Sequence, residues 1–428
     1  MLDGEDIDLR FKFCRKYGGC LGYRQGMTQS TARSPRLLRR INTGLLLRFA
    51  LASTDFTAAE AMAASGLTRA TVLGVCGDLV AAGWLEEIED SRVAGLSQRG
   101  RPARRYRLRE GVGAVVGVDA GENRFAAAVA NLHGEVLAFQ HRRVDPSEVD
   151  RDERVVIVRD LIRGVLADAG VAASSLLITV VGIPAPVDAE GRSPEDQNIF
   201  WTMMNSGFQD HLEGFVVLEN DANLAALAEQ AANPGRNVAT LLSGERFGAG
   251  LVVDGRLLRG GRGGAGEMRF LDLLVREDDL DLGSADGVGA LARRWAQTEL
   301  SRSDAPSVLR RLPLDQVDAE AVFAAARDGD ALAEDILRRL GGRIAQIAMV
   351  LESILDVEKV VVAGGIAAAI GPVLGHARSI LEAQFQPPFP ELVASGLGRD
   401  VIVRGAVELA LSRIREAPLD FLPAGAEA

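Results

Sequence analysis

An apolar run, Phe215 to Leu218, ends in Glu219, Asn220 and Asp221 and passes directly into an alanine-rich helical pattern that reaches Glu229, ENDANLAALAE. A strand that feeds a helix through an acidic pair commits this region to layered α/β architecture. A carboxylate at such a junction is placed to accept a proton from a bound hydroxyl or to hydrogen-bond with it, and Asp221 is the candidate. Asn and Asp also favour helix N-caps, so the local residues leave capping by Asn220 or Asp221 equally open.

The flanking sequence repeats the same scheme. GAVVGVDAG reads as a strand ending at Asp119 and Gly121, FAAAVANL and GEVLAFQHRR as two more about a His133-Gly134 turn, then a helix over 147–169 and the strand LLITVVGIPAPVD. These strand ends converge on Asp119 and Asp221. After Asn233 and Pro234 come the strand NVATLLSG, the hairpin GAGLVVDG and RLLRG, the glycine-rich GGRGGAGEMRF, helices as far as Leu355, and KVVVAGG with its Gly364-Gly365 turn. Two lobes with glycine turns facing one cleft suit a nucleotide or a sugar, although neither a Walker nor a dinucleotide fingerprint is present. The last helix, VRGAVELALSRIREA, is amphipathic and is expected to return to the first lobe.

Charge separates this body from what precedes it. Met27 to Arg109 holds 13 Arg, no Lys and 7 acidic residues, a net +6, within a 428-residue chain of net charge -11. A basic module on an acidic body implies that the first part meets a polyanion. The expected domains are a flexible extension (1–33), a DNA-binding domain (34–109), lobe 1 (110–233, with the helix at 400–416) and lobe 2 (234–399). Met27 is the expected biological start. No apolar run has the ~20 residues of a membrane helix and the first residues are acidic, so the expected location is the cytoplasm. Cys14, Cys20 and Cys76 give no disulfide framework, and His133, His141, His211 and His376 have no metal-ligand spacing.

Within the basic module Ser34 and Pro35 start a helix with Leu37, Leu38, Ile41, Leu45, Leu46 and Phe49 at helical spacing. Thr57 opens a short helix that stops at Gly66, and Thr68 opens another that ends at Gly83. This is a helix-turn-helix, whose second helix would present Thr68, Arg69 and Thr71 to DNA while Val72, Val75, Leu79 and Val80 pack inward. Trp84 to Ile88 and Tyr106 to Leu108 pair as a wing whose loop carries Arg99, Gly100, Arg101, Pro102, Arg104 and Arg105. Slim, extended backbone there lets Arg99, Arg101 and Arg104 enter a narrow minor groove. A small helical bundle that binds protein is the alternative.

ENDAN at Glu219 to Asn223, DGRLLRGGRGGAGE at Asp254 to Glu267, GRPARRY at Gly100 to Tyr106 and VVVAGGI at Val360 to Ile366 together resemble the ROK family (repressor, open reading frame, kinase). The resemblance covers Ser34 to about Glu416. It implies a two-lobed sugar kinase and actin-like (ASKHA) α/β body preceded by a winged helix-turn-helix. Members so built are transcriptional regulators, commonly repressors tuned by a sugar, while other members are sugar kinases in which the residue matching Asp221 is the general base.

Several positions depart from the kinase pattern. The first phosphate turn, D-x-G-G-T in the family, is Asp119, Ala120, Gly121, Glu122, Asn123; the second, G-T-G-x-G, is Gly244, Glu245, Arg246, Phe247, Gly248. Glu122 and Glu245 would each cost a bound polyphosphate on the order of 1 to 4 kcal/mol, so ATP is not expected. The family's zinc set of one His and three Cys is missing, because Glu267 and Met268 lead into Arg269, Phe270 and a Cys-free loop, so no zinc is expected. Arg269 points to an acidic or phosphorylated ligand, or pairs with a nearby carboxylate. Asn198, Asn220, Asp221, Glu267 and Arg269 are the expected ligand contacts, with Asp221 a vestigial base. The resemblance implies a double-stranded DNA operator, a sugar or sugar-derivative effector, and a homodimer or homotetramer on an inverted repeat.

Overall fold

Two threonines punctuate the first part of the chain. The computed structural model describes residues 35–88, 104–194, 199–268 and 286–422. Helix α1 (Pro35–Leu51) leads to a two-residue strand β1 (Phe56–Thr57), then to helices α2 (Ala58–Ser65) and α3 (Arg69–Ala81). Thr57 caps α2 in a reciprocal capping box with Glu60, and Gly66 ends that helix in the left-handed region. Thr68 caps α3 by accepting from the Thr71 N–H. Such caps satisfy donors that helix starts would otherwise leave orphaned, at about 1 kcal/mol each.

Strands β2 (Leu85–Ile88) and β3 (Arg105–Leu108) pair antiparallel with Leu85 opposite Leu108, and β1 adds to the other edge of β3. Leu46, Leu47, Phe56, Val72, Leu79, Trp84 and Tyr106 fill the core between the helices and this sheet. Among the described residues, 35–88, 104–113 and 412–422 form this compact unit. Arg48 accordingly donates to the Arg415 and Glu416 carbonyls. One expectation fails: Val80, read as packing inward, is 37% exposed, and Leu37, Leu38, Ile41 and Leu45 of the α1 stripe are likewise between 37% and 50% exposed. Helical spacing identifies an apolar stripe but not how much of it is covered, and in α1 burial concentrates on Leu46, Leu47, Ala50 and Leu51.

The second unit, Ala114–Leu411, is built from two sheets of the same design. Lobe 1 holds β4 (Ala114–Ala120), β5 (Arg124–Asn131), β6 (Val136–Arg143), α4 (Arg151–Asp168), β7 (Leu176–Ile183), α5 (Ile199–Met204), α6 (Phe208–His211), β8 (Val216–Asn220) and α7 (Asp221–Ala232). Lobe 2 holds β9 (Val238–Ser243), β10 (Phe247–Val253), β11 (Arg256–Leu258), α8 (Val288–Arg302), α9 (Ala319–Arg327), α10 (Ala331–Leu355), β12 (Lys359–Ala363), α11 (Gly371–Gln384) and β13 (Glu391–Ala394). Helix α12 (Val401–Glu416) follows.

The sheet orders β6-β5-β4-β7-β8 and β11-β10-β9-β12-β13 match position for position. In each, an antiparallel meander on one side of the first strand gives way to parallel strands on the other. All seven residues of β4 are buried, as a strand covered on both faces requires. Helix α7 is held tightly: a Cβ on Gly250 of β10 would lie 2.2 Å from the Ala222 carbonyl, and one on Gly405 of α12 1.8 Å from that of Leu224. No described helix is long and apolar enough to cross a membrane.

Candidate functional site

Strand β8 stops where α7 begins, and the turn between them carries the acidic pair. Asn220 is the N-cap: its Oδ1 accepts from the Asn223 N–H at 3.1 Å, while its Nδ2 donates to the Ala185 carbonyl at 3.2 Å. Capping therefore falls to Asn220, and the Asp221 carboxylate, first in the helix, accepts from the Ala222 N–H at 2.7 Å. Burial, with the Asp119 and Glu267 carboxylates close by, pushes Asp221 up to about 8. The buried charge is disfavoured so strongly that Asp221 is mainly protonated at neutral pH and can donate as well as accept.

Glu219 is buried and acts as a strut. Its carboxylate accepts from Asn223 Nδ2 at 2.9 Å and from Arg259 Nε at 2.7 Å. The glycine-rich passage after Arg259 runs against other backbones: Gly263, in the left-handed region at φ 70°, leaves only 1.9 Å between a built Cβ and the Val187 carbonyl. Only glycine fits there. The passage delivers Glu267 beside Asp221.

The first degenerate turn follows β4. Burial pushes Asp119 up to about 7 and Asp400 adds to the rise, against the Arg124 guanidinium 3.5 Å away. Arg124 also binds Asp400 at 2.6 Å. Arg154, on α4, is 1% exposed and donates to the Ala120 and Gly121 carbonyls at 2.6 and 2.9 Å, with its guanidinium 4.8 Å from the Phe125 ring centroid. The turn backbone is thus held from behind by a buried cation.

The second turn changes the expected electrostatics. Glu122 and Glu245 are not bare charges facing the cleft: Glu122 pairs with Arg246 at 3.2 Å and Glu245 with Arg293 at 2.8 Å. The Arg246 guanidinium also lies 3.4 Å from the ring centroid of Phe200 on α5. The two turns are therefore joined across the lobes by an ion pair stacked on an aromatic ring. Glu122 and Glu245 are thus neutralised by arginine partners rather than standing as two repulsive carboxylates. Gly244 and Glu245 carbonyls are meanwhile taken by the Gly289 and Gly287 N–H groups at the start of α8.

In the winged helix-turn-helix, Thr68 and Arg69 are exposed and Thr71 is half-buried, its hydroxyl 2.9 Å from that of Thr68. Arg104 pairs with Glu87 at 3.1 Å and keeps 56% of its side chain exposed. Arg105 belongs to the scaffold, bound to Asp55 and nearly buried. Arg99, Arg101, Asn198 and Arg269 lie outside the described residues. Sequence reading missed Arg259, Arg154, Arg124 and Phe200, since no spacing connects any of them to its partner. The donor set does not fit zinc either: no Cys or His stands between Gly264 and Gly287, and the described residues contain no His, Cys, Asp and Glu cluster able to hold a metal.

Comparison with known proteins matches residues 115–413 to the ROK family. The chain belongs to the ROK family. A relative is the xylose repressor of Caldicellulosiruptor bescii, 26% identical over 254 residues, which are 58% of this chain and 62% of that protein. This chain thus spans less than two thirds of that relative's length. The glucokinase of Thermotoga maritima is 25% identical over 70% of this chain and 98% of its own. Among solved structures, a ROK family transcriptional regulator, a homolog of the E. coli Mlc protein, superposes with a TM-score of 0.69 at 20% identity, covering 91% of this chain and 100% of that one. The fold is thereby that of ROK proteins with an N-terminal helical unit, and the family spans both regulators and kinases.

Proposed function

We propose that this ROK protein is a DNA-binding transcriptional repressor of carbohydrate-related genes whose body binds a sugar or sugar derivative without phosphorylating it. It acts in the cytoplasm, as a homodimer or homotetramer on an inverted repeat. The observation that carries the reading is the Glu122–Arg246 pair stacked on Phe200, which ties together the two turns that match the phosphate turns of the family's kinases. Similarity to a xylose repressor supports the regulatory half. The exposed head of α3, with Thr68 and Arg69, supports DNA contact, with Arg99, Arg101 and Arg104 of the wing as its phosphate and minor-groove partners.

Asp221, Asn220 and Glu267 are the proposed sugar contacts, with Asn198 and Arg269 completing the set. A protonated Asp221 offers one donor and one acceptor to vicinal hydroxyls, a better match to a neutral sugar than a lone anion. An exposed ion pair contributes about 0 to 1 kcal/mol and cation–π stacking about 0.5 to 2, so the latch biases lobe closure rather than locking it. That is the size of a typical allosteric coupling, which a sugar with differential affinity for the two closures can supply.

The second reading is a sugar kinase that also binds DNA, favoured by similarity to a glucokinase over most of the chain. Incubation with ATP, magnesium and a hexose panel separates the two, alongside thermal shifts against neutral, amino, acidic and phosphorylated sugars. The repressor reading expects a melting shift with at least one sugar class and no sugar phosphate. Turnover that disappears in Asp221→Asn would overturn it.

A further inference from the structure

Lobe 1 leaves one long sheet edge open. In the matched sheets β6 holds the position of β11, yet β6 runs eight residues where β11 runs three, and no strand lies along its outer edge among the described residues. The remaining edge strands, β8 and β13, have five and four residues. Helix α4 covers one face of β6, where Ala138 packs and Gln140 Nε2 donates to Asp168 Oδ2 at 2.7 Å. The opposite face is bare. Val403 of α12 packs on Ala126 and Ala128 of β5, whereas Val136, Leu137 and Phe139 beyond them are 54%, 46% and 38% exposed. Phe139 stands opposite Ala128 and therefore on that face, and the His141 ring, 6.1 Å from that of Phe139, extends the patch.

A long edge with apolar residues is a template for another strand, and folds usually blunt it with proline, lysine or brevity. The sequence of β6, VLAFQHRR, uses none of these. Its charges are sorted by end instead: Glu135 precedes the strand, and Arg142 and Arg143 close it. A twofold-related copy of the same strand, antiparallel and centred on Phe139, sets Phe139 against Phe139, Leu137 against His141 and Glu135 against Arg143, each pair on one face. Leu137 is an extra residue in the pairing with β5, which loosens the ends of this register and leaves its centre in place. An isologous interface must complement itself. This strand does so, with acid meeting base at both ends, whereas a parallel copy would set like charges together.

We propose that β6 is the homodimerisation edge of this protein and that its occupant is the β6 of a second copy, which joins two five-stranded lobe-1 sheets into one continuous sheet. The inference rests on the homodimer proposed above and gives it a surface. An extended segment of another protein would meet the backbone of this edge equally well, but the Glu135 and Arg143 ends select the strand's own sequence.

Sedimentation velocity on the full chain should give a dimer, or a tetramer, whose association Phe139→Glu weakens about a hundredfold or more. Glu135→Arg and Arg143→Glu should each weaken it on the order of tenfold, and the two together should restore it. This exchange of surface charges keeps the test open if Phe139→Glu does not fold. Under mild oxidation Phe139→Cys should crosslink two copies, because facing strands hold Cα atoms about 4.5 to 5.5 Å apart, within disulfide reach, and Val136→Cys should not. The unsubstituted chain reports the background from Cys14, Cys20 and Cys76. A monomeric wild type, an association that grows without limit with concentration, or a dimer unmoved by Phe139→Glu and by both charge reversals overturns the proposal. A dimer of the last kind that still selects an inverted repeat leaves the repressor reading standing, whereas absence of duplex binding with the β6 dimer intact overturns that reading alone.

Discussion

Burial is the main cause that pushes Asp221 up to about 8 and Asp119 up to about 7, so that at neutral pH the first is mostly and the second about half protonated. In the unfolded chain both release their protons near pH 4, so the folded state holds the extra protons between those limits. Their contribution to stability is therefore fully present in acid and is lost as pH rises from about 4 through about 8. Asp221→Asn removes one of these titrations. Scanning calorimetry should show the variant less sensitive to pH than the wild type, gaining at least about 1 kcal/mol, or ~2–4 °C in Tm, at about pH 8.5 relative to about pH 5. Parallel curves for the two proteins would refute the protonated Asp221. The position of Asp221 was legible because a strand-to-helix junction is a local pattern. The strut beneath it was not: Arg259 reaches Glu219 across 40 positions of sequence, and nothing in either neighbourhood names the other.

Elements were legible where their signals are short-range. Thr57, Gly66 and Thr68 marked the helix-turn-helix, and capping geometry put the boundaries there. The 147–169 helix proved to be α4, starting at Arg151 because Asp150 accepts from the Glu153 N–H. Strands β1 and β13 escaped notice, since two and four residues carry no period and exist only by pairing with β3 and β12. Glycine-rich stretches were recognisable as such, but sequence did not separate glycines that a neighbouring backbone demands from those it does not. Gly263→Ala forces a side chain into left-handed backbone beside the Val187 carbonyl and should cost about 2 kcal/mol or more, ~4–8 °C in Tm, with loss of sugar-induced stabilisation. Gly244→Ala meets nothing within 4 Å and should change Tm by no more than about 1 °C. Equal effects from the two would show that the passage bearing Glu267 is not held by that close approach.

At the scale of the whole molecule, a second lobe of the same scheme was anticipated from the repeated strand pattern, though not the strand order within its sheet, and the charge asymmetry set off the basic module from the acidic body. The ion pair between lobes was beyond reach, because Glu122 and Arg246 each look like damage to a phosphate turn until the fold sets them face to face. The proposed repressor unites the two parts: a helix-turn-helix that reads a half-site, and a cleft whose closure a sugar biases. Selection of duplexes from a random library by the full chain tests that claim most directly. The predicted result is an enriched inverted repeat, bound with altered affinity when a stabilising sugar is added, and lost or changed in sequence with Arg69→Ala. Retention of no duplex over background, or the same enrichment by wild type and Arg69→Ala with no response to any sugar, would contradict it.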